Sequence, residues 1–222
     1  VKNFSSHDFL YNEINKRLKE RKADIKRRFT KIMELSAWGN NQLDELAHFP
    51  PATMELVESN FLLHWINDLP GLLSKIQAVL EPDGLFLAAF PGGETLHELR
   101  KALSAAETIT TGGISPRISP FVGLSDAASL LQRSGFALPV ADLDRITVTY
   151  KNIFTLMRDL RGMGETSALF ERIKHFTKAE MFYEAEKFYK SNFSDQNGNL
   201  LVTVDIVFMT GWAPHHSQPS PQ

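Results

Sequence analysis

The sequence contains no cysteine, which excludes disulfide bonds, thiolate zinc sites and cysteine nucleophiles. It also has no run approaching the ~20 consecutive apolar residues that a membrane-spanning helix needs. Neither sign of charge dominates, because 24 Lys and Arg residues face 26 Asp and Glu residues. This balance gives no general attraction for nucleic acid or anionic lipid. These absences predict an intracellular protein with no nucleic-acid partner and no integral membrane segment.

Basic residues do cluster locally, in residues 16–29. On a helix they mix with Glu20 and Asp24, so a solvated helix face is the simpler interpretation. A binding patch for an acidic partner is the alternative.

The order of hydrophobic patterns predicts an α/β fold. Apolar runs typical of strands alternate with apolar residues at helical spacing, which indicates a mostly parallel sheet with helices on both faces. The predicted strands are 29–35, 54–63, 85–90, one within 137–150, and a last strand at 199–213 that joins the sheet edge antiparallel. The predicted helices are 7–28, 69–80, 92–107, 125–136, 153–162 and 177–193.

This pattern also predicts how the chain is organised. An N-terminal helical segment (1–28) precedes the core (29–150), which is interrupted by a helical cap (151–198) before the final strand (199–213) and a flexible tail (214–222). The turn Pro82-Asp83-Gly84 before the third strand is expected to need a positive φ at Gly84.

Polar side chains follow the first two strands. The first strand carries Glu34 near its end, and the second runs through "ESNFLLHW" into a helix start signal at Asn67-Asp68. The carboxyl ends of parallel strands are where such sheets bind ligands. We therefore expect a ligand site at this edge of the sheet.

Several motifs carry a family resemblance. The segment "SNFLLHWINDLPGLLSKIQAVLEPDGLFLAAFPGGETLHELRKAL" resembles class I S-adenosylmethionine-dependent methyltransferases, and is similar to the NADH dehydrogenase assembly-factor methyltransferase-like proteins and to the malonyl-carrier methyltransferases of biotin synthesis. The resemblance continues through "GGISPRISPF", "RDLRGMGE" and "GWAPHHSQ", over roughly residues 54–218. It implies a Rossmann-like methyltransferase sheet and S-adenosylmethionine as the cofactor.

Two features depart from the family pattern. The turn after the first strand, "ELSAWGNN", retains only Gly39 where the family carries several glycines. The family sheet would also need roughly 40–50 residues between this turn and the second strand, and about a dozen are present. Either two strands are lost, or residues are absent between Asn41 and Gln42. We favour the second interpretation, because losing central strands would open the core.

The resemblance assigns candidate site residues, each with a structural alternative. The proposed catalytic residue is His64, which otherwise caps the strand. The proposed acceptor-binding residues, which otherwise form ion pairs at a helix end, are Arg158, Arg161 and Glu165. Adjacent His215 and His216 lack a carboxylate cluster, so no metal site is predicted. The proposed cofactor-binding residues are Glu34, Ser36, Gly39, Ser59, Asn60, Leu62 and Trp65, of which Leu62 fits the core equally well.

The resemblance leaves three functions open. The first is methyl transfer to a small-molecule or protein acceptor. The others are hydroxylation of a protein arginine and a non-catalytic role in assembling a respiratory complex, with a subunit of that complex as partner. The expected location is the bacterial cytoplasm or, in a eukaryote, the mitochondrial matrix.

Overall fold

The computed structural model describes residues 7–36, 46–170 and 176–218. Within these ranges, none of the helices combines the length and apolarity needed to cross a membrane. Short 3₁₀ turns lie at Leu46–His48 and Leu63–Trp65. The helices are α1 (Phe9–Ala23), α2 (Leu69–Val79), α3 (His97–Thr111), α4 (Leu124–Arg133), α5 (Ile153–Met163) and α6 (Ala179–Asn192), and the strands are β1 (Ile32–Ser36), β2 (Met54–Asn60), β3 (Leu80–Gly92), β4 (Ala137–Tyr150) and β5 (Leu200–Trp212).

Several predicted boundaries were wrong: α1 ends at Ala23 rather than residue 28, and β3 begins at Leu80 rather than residue 85. Two other errors lie at residues with unexpected backbone angles. Strand β2 ends at Asn60 rather than residue 63, because Phe61 has φ 56° and leaves the extended region. Helix α3 begins at His97 rather than residue 92, because β3 continues to Gly92 and Leu96 has φ 57°. In both places a non-glycine residue makes the turn.

The described strands form a sheet of order β1-β2-β3-β5-β4. Strands β1, β2 and β3 pair in parallel. Strand β5 runs antiparallel to β3, because Gly84 bonds to Ala213 at one end while Gly92 approaches Val207 at the other. The predicted mostly parallel sheet with an antiparallel last strand is confirmed.

The expected edge position of the last strand was wrong. Strand β5 lies between β3 and β4, and β4 forms the edge. The burial of the two strands explains this order, because almost every residue of β5 is buried, whereas most residues of β4 are partly or fully exposed. A strand buried on both faces belongs inside a sheet.

The chain divides into two compact units. The core unit comprises residues 10–93, 122–144 and 206–222, and the helical unit comprises residues 1–9, 94–121 and 145–205. The predicted cap, residues 151–198, falls within the helical unit and contains α5 and α6.

In the core unit, helices cover both faces of the sheet. On one face, α2 and α4 pack against β1, β2 and β3 through residues such as Ile76, Leu131 and Phe86. On the other face, α1 buries Leu10, Ile14 and Leu18, and the Arg21 guanidinium lies over the Phe208 ring. Each fully buried aliphatic side chain stabilises the fold by about 1.5–3 kcal/mol relative to exposure.

In the helical unit, a buried carboxylate links β5 to the segment before α3. Arg145 Nε and Nη2 donate to the Asp205 carboxylate at 2.7 and 2.9 Å, and the Glu94 N–H donates to it at 3.0 Å. Burial alone would raise the pKa of Asp205, but the hydrogen bonds from Arg145 and Glu94 outweigh it and lower that pKa. Asp205 is therefore ionised at neutral pH and fixes this end of α3.

The Pro82-Asp83-Gly84 stretch, which precedes the buried part of β3, differs from the prediction at Gly84. The positive φ, 63°, belongs to Asp83, a residue type that tolerates the left-handed region. Gly84 is needed for space instead, because a Cβ there would lie 2.7 Å from the Glu81 carbonyl oxygen and 3.1 Å from Leu80 Cβ.

Substitution Gly84→Ala should therefore lower the free energy of unfolding by about 1–3 kcal/mol, through overpacking against the backbone. Urea denaturation of the full chain measures this. The matched control is Gly113→Ala, since a Cβ at Gly113 meets no atom within 4 Å and should not destabilise the protein. Equal stability of the two variants would contradict the steric explanation.

Candidate functional site

The parallel register brings the carboxyl ends of β1 and β2 together. Ser36, the last residue of β1, is the Cα partner of Asn60, the last residue of β2. Asn60 is in turn the partner of Ala89 in β3. The predicted meeting of strand ends is thus present within the core unit, and we call the surroundings of Ser36, Ser59 and Asn60 the strand-end site.

The chain turns sharply after Asn60. The side chain of Phe61 is buried, and its backbone adopts the left-handed conformation. A 3₁₀ turn over Leu63–Trp65 follows. The carboxylate of Asp68 then caps α2 by accepting from the Gly71 N–H at 3.0 Å. This compact turn fixes the residues that follow β2 next to the end of the strand.

Aromatic rings line this turn. The His64 ring packs edge-on against Phe61, with centroids 5.1 Å apart, and lies 5.4 Å from the Trp65 ring. His64 and Trp65 are half-buried, whereas Leu62 is part of the hydrophobic core. Leu62 therefore packs in the core, as its structural interpretation predicted, whereas His64 and Trp65 are partly accessible.

The most informative side chains are Ser59 and Asn60. Ser59 is fully buried and Asn60 is 6% exposed. Within the part of the chain that the structure describes, Ser59 Oγ and both amide atoms of Asn60 have no hydrogen-bond partner. A buried polar group without a partner costs about 1–3 kcal/mol, and such groups are rare in folded proteins. Consecutive strand residues point to opposite faces of the sheet, so Ser59 lies on the α2 face, whereas Asn60 shares the α1 face with its register partner Ser36. The unpartnered Asn60 amide, at the very end of the strand, is the stronger candidate for a ligand contact.

Helix α1 supplies residues beside the same strand ends. Tyr11 Oη lies 3.2 Å from Ser36 Oγ, and Lys22 Nζ donates to Glu58 at 2.8 Å. Glu34 is exposed and lies opposite Glu58 in the register. Tyr11 was missed from the sequence, although its position next to Leu10 in the apolar stripe of α1 placed it near the sheet.

The remaining predicted residues divide between two places. Gly39 and the junction between Asn41 and Gln42 lie outside the described residues. Arg158 and Arg161 lie on the exposed side of α5, and Glu165 follows this helix, all within the helical unit.

Comparison with known proteins finds similarity to methyltransferases. Residues 12–88 match a family described as a methyltransferase domain. The zebrafish protein named arginine-hydroxylase NDUFAF5, mitochondrial, is 41% identical over 80% of this chain and 55% of its own length. The malonyl-[acyl-carrier protein] O-methyltransferase of Xylella fastidiosa is 33% identical over 73% of this chain and 53% of its own length.

The chain is therefore similar to class I methyltransferases in sequence. A solved Bacillus halodurans protein, described as a candidate methyltransferase, shares its fold with a TM-score of 0.57 at 12% identity, covering 89% of this chain and 99% of the other. The chain spans about half the length of the relatives that it matches. The matched domain, 12–88, includes the strand-end site and ends before α5.

Because the Asn60 amide has no hydrogen-bond partner among the described residues, removing it should not destabilise the fold. Asn60→Ala should leave the free energy of unfolding unchanged or raise it, because the substitution removes no hydrogen bond made by the described chain. The control is Asn152→Ala, which should cost about 1 kcal/mol because Asn152 Oδ1 caps α5 by accepting from the Thr155 N–H at 2.8 Å. Thermal denaturation of both variants checks this. A loss for Asn60→Ala as large as the control's would mean that Asn60 is structural.

Proposed function

We propose that the chain binds S-adenosylmethionine at the strand-end site and transfers its methyl group to an acceptor. The observation that supports this most directly is the buried amide of Asn60, which lacks a partner among the described residues at the carboxyl end of a parallel strand and shares its sheet face with Ser36. The similarity to methyltransferases supports the choice of ligand.

The residues of the strand-end site suit the polar groups of this cofactor. The Asn60 amide offers one acceptor and two donors, and the Ser59 hydroxyl offers both. Ser36 and Glu34, on the neighbouring strand, add a hydroxyl and a carboxylate, which suits an ammonium or ribose hydroxyl group. We also propose that Trp65 and Leu62 contribute apolar surface and that Gly39 approaches the cofactor.

When bound, the sulfonium supplies an already electrophilic methyl group. The protein then has to align the acceptor and exclude water. We propose His64 as the base for an acceptor that must lose a proton. Its ring has a fixed orientation, because Phe61 and Trp65 pack on it. Arg158, Arg161 and Glu165 are proposed to contact the acceptor.

A second candidate function is hydroxylation of a protein arginine. The observation that favours it is the name of several relatives, arginine-hydroxylase, at 39–43% identity. A subunit of a respiratory complex is then the proposed partner, with the mitochondrial matrix or the bacterial cytoplasm as the location. Product mass separates the two reactions, since methylation adds a methylene group and hydroxylation adds an oxygen atom.

Titration calorimetry tests the proposed cofactor site. S-adenosylmethionine should bind the full chain. Asn60→Ala should raise the Kd for S-adenosylmethionine by about tenfold or more, which corresponds to a loss of ~1.4 kcal/mol of binding free energy. The matched control is Asn12→Ala, an exposed position on α1 that should leave the Kd unchanged. Absence of binding to the unsubstituted chain, or equal Kd values for both variants, would contradict the proposal.

A further inference from the structure

One surface of the helical unit has the composition of a docking site. Phe154, Arg158 and Arg161 are spaced by four and three residues on α5, so they share one side of the helix. The opposite stripe, which includes Ile153 and Leu156, is buried. Phe182 and Tyr183 of α6 adjoin the Phe154 end, and we call these five residues the docking face.

Aromatic rings remain exposed on the docking face. Phe154 is 37% exposed and Tyr183 is 63% exposed. Their rings meet edge-on with centroids 5.7 Å apart, and the Phe182 ring lies 6.4 Å from Phe154. The three rings thus form a continuous aromatic surface. Aromatic residues and arginine are enriched at protein interfaces, where they supply much of the binding energy.

The two arginines carry positive charge that the described part of the chain does not neutralise. Arg158 and Arg161 are exposed, and neither has an ion pair or side-chain hydrogen bond with a described residue. The one acidic residue inside α5, Asp159, lies on a different side of the helix, where its carboxylate accepts a hydrogen bond from His7 Nδ1 at 2.8 Å.

Acidic residues on α6 do not offset this charge. Glu184 pairs with Lys187 at 3.8 Å, and Glu186 pairs with Lys190 at 2.6 Å. Glu180, in the first turn of α6, is the remaining carboxylate on that helix. The docking face therefore combines exposed rings with two guanidinium groups that form no ion pair with another described residue.

The basic helix α1 differs in this respect. Its arginines are engaged within the core unit, since Arg17 bonds to Glu13 and Asp144 and Arg21 bonds to Asp142. The arginines of α1 are thus paired with carboxylates of the core unit. In addition, α1 lacks a comparable group of exposed rings. Positive charge and aromatic surface coincide on α5 and α6.

We propose that the docking face binds an acidic segment of a protein partner, in which carboxylates flank an apolar side chain. The carboxylates would pair with Arg158 and Arg161 in bidentate geometry, and the apolar side chain would cover Phe154 and Tyr183. This inference rests on the proposed function only in taking the docked protein as the acceptor. The docking itself does not require S-adenosylmethionine.

Fluorescence anisotropy on the full chain without cofactor tests the inference. The probe is a fluorescein-labelled peptide of alternating glutamate and leucine, and a peptide of alternating lysine and leucine is its control. The acidic peptide should bind and the basic one should not. The double variant Arg158→Glu/Arg161→Glu should raise the Kd for the acidic peptide by about tenfold or more, and Tyr183→Ala should raise it several-fold.

The matched control is Lys16→Glu/Lys19→Glu, which reverses two exposed charges on α1 and should leave the Kd unchanged. Thermal denaturation verifies folding, and Arg158→Gln/Arg161→Gln replaces the charge reversal if that variant unfolds. Unchanged peptide binding by either arginine variant, or equal weakening by the α1 control, would overturn the inference. So would binding to phosphatidylserine vesicles in place of the peptide. Calorimetry with S-adenosylmethionine reports separately on the cofactor site.

Discussion

The parallel pairing of β1, β2 and β3 is the constraint on which the strand-end site depends. This register places Ser36 beside Asn60 and Asn60 beside Ala89, so the carboxyl ends of the strands share one edge. A shift by one residue would move every side chain to the other face of the sheet. The buried apolar residues on both faces prevent that shift, because helices cover each face of the core unit.

The end of β2 carries two energetic costs that the core has to offset. Phe61 adopts a left-handed conformation that costs roughly 1–2 kcal/mol for a residue with a Cβ atom. The amide of Asn60 is buried without a partner in the described ranges, at a further cost of about 1–3 kcal/mol. Strain and missing hydrogen bonds of this kind concentrate at functional sites, where a ligand or a reaction uses them. Their coincidence at one strand end supports the proposed cofactor site independently of the family resemblance.

The sequence predicted the architecture where apolar periodicity was strong. The strands β2 and β3, the helix α2 between them and the antiparallel direction of the last strand followed from apolar runs and turn signals. Some of the errors lie where non-glycine residues adopt positive φ. Phe61, Asp83 and Leu96 each end or turn an element there, and their residue types give no warning because such conformations are rare outside glycine.

The position of β5 was missed for a different reason. Alternating residues suggested an edge strand, but its burial shows a strand inside the sheet, and only the tertiary neighbours β3 and β4 decide this. Similarly, the sequence named Ser59 and Asn60 as candidates but could not show that their polar atoms lack partners. That property depends on every neighbouring atom in the fold.

The central claim is that the Asn60 amide receives hydrogen bonds from, and donates them to, the bound cofactor. The most direct test is the nuclear magnetic resonance signal of the Asn60 side-chain NH₂ group, assigned by its loss in Asn60→Ala. Titration with S-adenosylhomocysteine, which cannot transfer a methyl group, should shift this signal in proportion to occupancy. The side-chain signal of Asn152, bonded at the start of α5 in the helical unit, serves as the internal reference. An Asn60 signal that stays in place while the ligand binds elsewhere on the chain would contradict the account.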